Sequence, residues 1–176
     1  MDKPFRVVYE NRDALPVRLE VAGPIQVGDH SYEHHRLVVG DGRPGAVVMA
    51  RRAGQVLLVL SERLAAGRRM WELPRGSGDD GESPLQTGVR ELREEVGLRA
   101  VNPQTVGQFV TDSAIFPQQV AVIVCDVAEE SPAAGDGEII DQRWVTMAEA
   151  EQLIVDGVVA DALSLAAFAL VSAKGL

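Results

Sequence analysis

Apolar and polar positions change period several times along the chain, and the changes mark its elements. Residues 5–9, 17–21 and 36–39 alternate in strand fashion, with Gly23-Pro24 and Gly28-Asp29 as turn signals between them. A composition break over Gly40, Asp41, Gly42, Arg43, Pro44 and Gly45 follows. Residues 1–43 are therefore expected to form a small β subdomain, and residues 44–176 the main domain. Residues 46–50 and 56–60 are apolar runs around Arg51-Arg52-Ala53-Gly54, which predicts a hairpin of the main sheet. Gly67, Arg68 and Arg69 read as loop, residues 120–127 as a long apolar strand, and residues 142–145 as a shorter one.

Between these runs the period changes to that of a helix. Leu85, Val89, Leu92 and Val96 form one stripe at about 100° per residue. Ser83 can cap the helix, Pro84 suits its first position, and Gln86 completes an S-x-x-Q capping box. Gly97 supplies a C-terminal stop. Thr146 and Glu149 form a second capping box, opening a helix that ends near Gly157. Asp161 can cap a last helix over the uncharged residues 162–173, a stretch too short to span a bilayer. Strands on both sides of a mid-chain helix, with helices at the end, predict a mixed sheet packed between helices.

Composition narrows the partners. The 176 residues, 46% hydrophobic and 24% charged, suit one soluble domain with a real core. A formal net charge of -9 argues against nucleic acid and anionic membranes, because phosphate contacts need a basic patch. A phosphate substrate fits such a chain when cations mediate the contact. The single cysteine, Cys125, sits among Val122, Ile123, Val124 and Val127 and reads as a buried strand residue in a reducing cytoplasm. Met1-Asp2-Lys3-Pro4-Phe5-Arg6 has no basic segment leading into an apolar run, so no signal peptide is expected.

The helix of residues 85–96 carries the candidate chemistry. Opposite its apolar stripe lie Glu91, Glu94 and Glu95, at spacings of three and four that place like charges side by side. Such a face is either solvated and relieved by Arg90 and Arg93, or a site for a hard cation. Carboxylate oxygens suit Mg²⁺ and Mn²⁺, and Mg²⁺ commonly bridges carboxylates to substrate phosphates. Spacing decides between the two. Gly76 is followed by five residues, Glu82, seven residues, and then Arg90-Glu91-Leu92-Arg93-Glu94-Glu95-Val96-Gly97-Leu98. Gly76 to Gly81 also reads G-x-G-x-x-G, but no helix opens within that loop, and Asp79 and Asp80 would repel a pyrophosphate.

That spacing resembles, at every fixed position, the Nudix hydrolase signature G-x5-E-x7-R-E-U-x-E-E-x-G-U, with U a bulky aliphatic. The fold it implies is of the α/β (α+β) class, an α/β/α sandwich with a mixed sheet and, here, a small N-terminal β subdomain. The roles it implies are metal ligation by Glu91, Glu94, Glu95 and the carbonyl of Arg75, and an ion pair of Arg90 with Glu82. Gly76 would permit a tight turn and Gly97 the helix exit. The implied reaction is attack of water on a diphosphate joined to another moiety, assisted by Mg²⁺ or Mn²⁺. Glu94 is the first choice of base.

Arg63, Trp71-Glu72-Leu73-Pro74, Glu10-Asn11 and the stretch from Asp156-Gly157 to Asp161-Ala162 resemble the ADP-ribose pyrophosphatase branch. The resemblance implies a homodimer built through the N-terminal strands and a small nucleotide substrate. ADP-ribose and nucleotide sugars are the expected substrates, with Arg63, Arg68 and Trp71 as candidate contacts. One segment departs from that branch. Ser113 and Ala114 replace an expected proline-glycine pair, and Gln118 and Gln119 stand where an acid is expected. An amide cannot take a proton as a carboxylate does, so Asp112 is the nearby substitute. A nucleotide-sensing regulator would be expected to lose signature carboxylates, and a triphosphate pyrophosphatase would not need the N-terminal extension. His30, His34 and His35 are a further conceivable metal cluster, but strand alternation sends His34 and His35 to opposite faces.

Overall fold

The computed structural model describes residues 4–13, 15–128, 135 and 137–176. Met1, Asp2 and Lys3, part of the N-terminal reading above, lie outside the described residues. Strands β1 (Arg6–Asn11), β2 (Val17–Val27) and β3 (His30–Val39) form an antiparallel sheet of their own, in the order β1-β2-β3. The second sheet contains β4 (Gly45–Arg52), β5 (Gln55–Arg63), β6 (Arg68–Glu72), β7 (Arg75–Ser77), β8 (Ala100–Asp112), β9 (Phe116–Val127) and β10 (Ile139–Thr146). Its order is β10-β5-β4-β9-β8, with β6 on β5 and β7 on β4. The β4–β9 pair is parallel and the other pairs are antiparallel, so the sheet is mixed.

Helices cover both faces of this sheet, which explains why its central strands lack alternation. On β4, Ala46, Val48 and Ala50 pack with Leu92, Val96 and Leu98 of α1 (Pro84–Val96) and the residues just beyond it. Val47 and Met49 point the other way. They meet Ala150 of α2 (Met147–Val155) and Ala167, Phe168 and Val171 of α3 (Ala162–Ala173). Cys125 belongs to the α1 side and is buried. Gly88 brings α1 close to the sheet, because a Cβ there would stand 2.8 Å from Ile123. Among the described residues no helix is long and apolar enough to cross a membrane.

Local signals hold where they are strong. Ser83 accepts from the Gln86 amide, Gln86 returns the bond, and Gly97 closes α1 in the left-handed conformation at φ 72°. Thr146 and Glu149 do the same for α2, and Asp161 accepts from the Ser164 amide at the start of α3.

Two expectations are corrected, and one strand was not anticipated. Gly23-Pro24 is no turn: β2 runs through it, with the register against β3 shifting between Ala22 and Ile25. Here β2 has lost β1 as a neighbour, which pairs only as far as Val21, so a proline without an N–H costs no ladder bond. Arg68 and Arg69 belong to β6, opposite Arg63 and Glu62, and their exposure removes any apolar pattern. The long edge strand β8 has no counterpart in the sequence reading. Its register shifts three times against β9, and each shift breaks the period-two pattern.

Candidate active site

The site grows from a crossing in the chain. After Glu72 the backbone leaves β5, and at Arg75 it joins β4 as β7. The loop that follows returns at Ser83 as α1, so α1 lies over the crossing. Gly76 is pressed against Glu91: a Cβ there would stand 2.0 Å from the Glu91 carboxylate. Only glycine lets the carboxylate sit on the backbone.

Arg90 is the hub of the loop. Its Nε donates to Glu82 Oε1 at 2.9 Å, and one terminal nitrogen donates to Glu82 Oε2 at 3.1 Å and to the Ser77 carbonyl at 2.9 Å. Its other terminal nitrogen donates to Glu94 at 2.8 Å and lies 3.0 Å from Glu91. Glu82 also accepts from the Asp79 amide and the Thr87 hydroxyl. Hydrogen bonds from Arg90 hold the Glu82 carboxyl below its ordinary pKa. Donating to Glu82 pushes the Arg90 guanidinium up. The implied ion pair is present and braces loop against helix.

Glu91 and Glu95 are in the opposite state. Burial pushes the Glu91 carboxyl up, against the pull of Arg90. Glu95, 7% exposed, is pushed up to about 8 by burial and then by the charge of Glu91. Its Oε2 accepts from the Arg75 amide at 3.1 Å. Two cavities of about 340 and 350 Å³ share Glu95 and Ile139 as lining, and the second also touches Ser61, Arg63 and Glu138.

This donor set fits a divalent cation. Half-buried Glu91 touches Gly76, and buried Glu95 accepts from the Arg75 amide. Burial disfavours charge on both, and repulsion from Glu91 adds to this at Glu95, which a divalent cation would offset. Glu94 is exposed and turned to Arg90, so it would have to leave that partner to join them. Among the described residues, no three His, Cys, Asp or Glu side chains already converge as a cage, and the histidines of β3 are no exception.

The remaining sequence candidates are distributed. Arg63, at the end of β5, grips Glu72, a fully buried carboxylate that also lies 3.6 Å from Arg75 Nε. Trp71 packs on the α3 side of the sheet beneath the Arg143 guanidinium, 4.2 Å away. Arg68 is exposed in β6. Asp112 accepts from the Ala114 amide and closes the β8–β9 turn, whose Ile115 carbonyl accepts from Leu37 of the N-terminal sheet. Gln118 is buried and donates to the Arg43 carbonyl, a bracing bond that an ionised carboxylate could not make, whereas Gln119 is exposed. Sequence reasoning gave no role to Glu72 or Glu138. Glu72 had a signal, an acid inside an otherwise apolar Trp-Glu-Leu-Pro run; Glu138 had none.

A profile of the NUDIX domain matches residues 42–166, most of the chain. The chain belongs to the Nudix hydrolase family. Among relatives of this Nudix chain, the ADP-ribose pyrophosphatase of Mycobacterium tuberculosis is 34% identical over 125 residues. That match covers 69% of this chain and 60% of the relative, so the chain spans about three fifths of that protein's length. The ADP-ribose pyrophosphatase of Bacillus subtilis is 30% identical over 124 residues, covering 68% of this chain and 67% of the relative. A CMP-5'-(N-acetyl-N-hydroxy-3-aminopropyl)phosphonate hydrolase of Streptomyces rubellomurinus is 27% identical over 155 residues, covering 86% and 72%. In fold, the chain is similar to a crystal structure of ADP compounds hydrolase, with TM-score 0.74 and 18% identity over 97% of this chain and 95% of that one.

Proposed function

We propose that this Nudix chain hydrolyses the phosphoanhydride of a nucleotide joined to a second moiety, ADP-ribose or a nucleotide sugar, with Mg²⁺ or Mn²⁺ bound. The observation that carries the reading is the pair of half-buried Glu91 and buried Glu95, set against the backbone of Gly76 and Arg75, with Glu95 lining an open cavity. ADP-ribose pyrophosphatases among the relatives support the substrate class, and the CMP-phosphonate hydrolase widens it to other nucleotide conjugates.

Glu91, Glu95 and the Arg75 carbonyl would hold the cation, joined by Glu94. A divalent ion bound there supplies charge neutralisation at the phosphoryl oxygens and a lowered pKa for attacking water. The chain's own groups do the rest. Arg90 keeps the loop on the helix and releases Glu94. Arg63, lining the cavity, faces the substrate's anionic or hydroxyl groups. The proton of the attacking water goes to a carboxylate, either Glu94 or Glu138, which lines the same cavity as Glu95. The same reading places the protein in the cytoplasm as a homodimer, with residues 1–43 as the pairing unit. Exposed Val7, Val8 and Tyr9 of β1 support that pairing.

The test is a panel of ADP-ribose, nucleotide sugars, dinucleoside polyphosphates and triphosphates, each with Mg²⁺ or Mn²⁺, followed by release of nucleoside monophosphate. Turnover of a diphosphate conjugate above the triphosphates is expected. Absence of turnover on the whole panel removes the catalytic reading and favours a nucleotide sensor.

A further inference from the structure

The crossing from β6 to β7 creates a problem that the sheet cannot solve. Leu73 and Pro74 lie between the last β5 pair, Val59 with Glu72, and the first β4 pair, Val47 with Arg75. Leu73 is fully buried, so its amide needs an acceptor, since a buried unpaired donor is costly. The acceptor comes from 91 positions away. Ser164 Oγ, also fully buried in the first turn of α3, accepts the Leu73 amide at 2.9 Å. The same hydroxyl donates to Asp161 Oδ2 at 3.0 Å, and Asp161 Oδ1 stands 3.8 Å from the Arg75 guanidinium. Pro74 is held through its carbonyl by the Val48 amide at 2.9 Å. Thus every residue from 73 to 75 is anchored, and the Arg75 amide is left for Glu95.

We propose that Ser164 and Asp161 are positioning residues. They use the N-terminal turn of the C-terminal helix to set the backbone of residues 73–75, and through it Glu95 and the Arg75 carbonyl, for cation binding and hydrolysis. This rests on the catalytic reading above. Its mechanical core is the chain of hydrogen bonds from Asp161 to Leu73, which stands beside the α3 cap itself. Asp161 already accepts from the Ser164 amide, as a helix cap requires. The Ser164 hydroxyl is not needed for that cap and is free to serve the crossing.

The experiment compares Ser164→Ala with Thr146→Ala, which removes the cap of α2, a helix end outside this network. Metal-free amide exchange at Arg75, Mn²⁺ affinity by electron paramagnetic resonance, and kcat and KM are measured for each. Ser164→Ala is expected to speed exchange at Arg75, and to weaken Mn²⁺ and lower kcat by about tenfold to a hundredfold, as loss of an outer-shell partner does. KM should stay within about twofold, because the altered contacts orient rather than bind substrate. Thr146→Ala should lower thermal stability and leave all four readouts unchanged. Asp161→Asn, which keeps the cap acceptor and drops the charge facing Arg75, is the milder variant and should move the readouts the same way by less. If both variants destabilise like Thr146→Ala with Arg75 exchange and Mn²⁺ affinity unmoved, the proposal is overturned. Exchange and Mn²⁺ affinity need no turnover, so they judge the positioning role even for a chain that fails on every substrate.

Discussion

Glu82 and Glu95 flank the same loop and meet opposite electrostatic fates. Glu82 receives two hydrogen bonds from Arg90 and others from Asp79 and Thr87, and its carboxyl is held below the ordinary range. Glu95 receives one backbone hydrogen bond, stands beside Glu91, and is pushed up to about 8 by burial. One carboxylate is satisfied by the fold, while the other waits for positive charge from outside. The difference separates the motif into a part that holds the loop together and a part that, in the proposed function, would meet the cation. A buried carboxyl with its pKa pushed up costs stability at neutral pH, which is the basis for the cation site proposed at Glu95.

The largest test of this division removes the waiting carboxylate. Glu95→Gln should lower hydrolysis more than about a hundredfold, beyond the loss an outer-shell partner causes. Metal-free stability should be kept or improved, because a buried carboxyl that only the unfolded chain ionises freely is replaced by a neutral amide. A rate within a few-fold of the parent, measured at saturating Mg²⁺, would remove Glu95 from the site. Gly76→Ala attacks the same half by shape alone. Its methyl would overlap the Glu91 carboxylate, so loss of about tenfold to a hundredfold in kcat with an intact far-ultraviolet spectrum is expected. Unchanged activity would mean that the Glu91 position carries no function.

The satisfied half should respond in stability. Arg90→Gln strands Glu82 and frees Glu94, and should cost about 1–3 kcal/mol by chemical denaturation. Both carboxylates keep some water access, with side chains 20% and 51% exposed, which holds the cost to that range. A loss within error of zero would show that the brace contributes nothing to folding.

What the sequence showed and what it hid follow the range of the interactions. The caps of α1 were legible because Ser83, Pro84, Gln86 and Gly97 act within a turn of one another. The strands β4, β5 and β9 were legible because burial on both faces demands continuous apolar runs. A helical wheel set Glu95 opposite the apolar stripe, as though facing water. It is buried because the 73–75 crossing covers that side, and no wheel of α1 contains the crossing. The Leu73–Ser164 contact and the Arg63–Glu72–Arg75 cluster join distant segments, so spacing alone did not reveal them. The motif was readable as chemistry for another reason: its residues are local even though their geometry is not.

One further test separates the two carboxylates by sign. For Glu82 the folded pKa is lowered, so its contribution is present above the unfolded value, near 4.5, and is lost as pH falls through the folded value. For Glu95 the folded carboxyl holds its proton up to about 8 while the unfolded one releases it near 4.5. Between those values the folded state binds more protons, so metal-free stability should fall as pH rises from 4.5 to 8 and level off above. In chelator, Glu95→Gln should match the parent near pH 4 and exceed it increasingly toward pH 8, and the gap should close when Mn²⁺ is added. Equal differences in melting temperature at both ends would mean that Glu95 is ionised throughout, with enough positive charge already around it. The contrast with Glu82 would then collapse, because neither carboxylate would need a cation to complete the fold's charge balance.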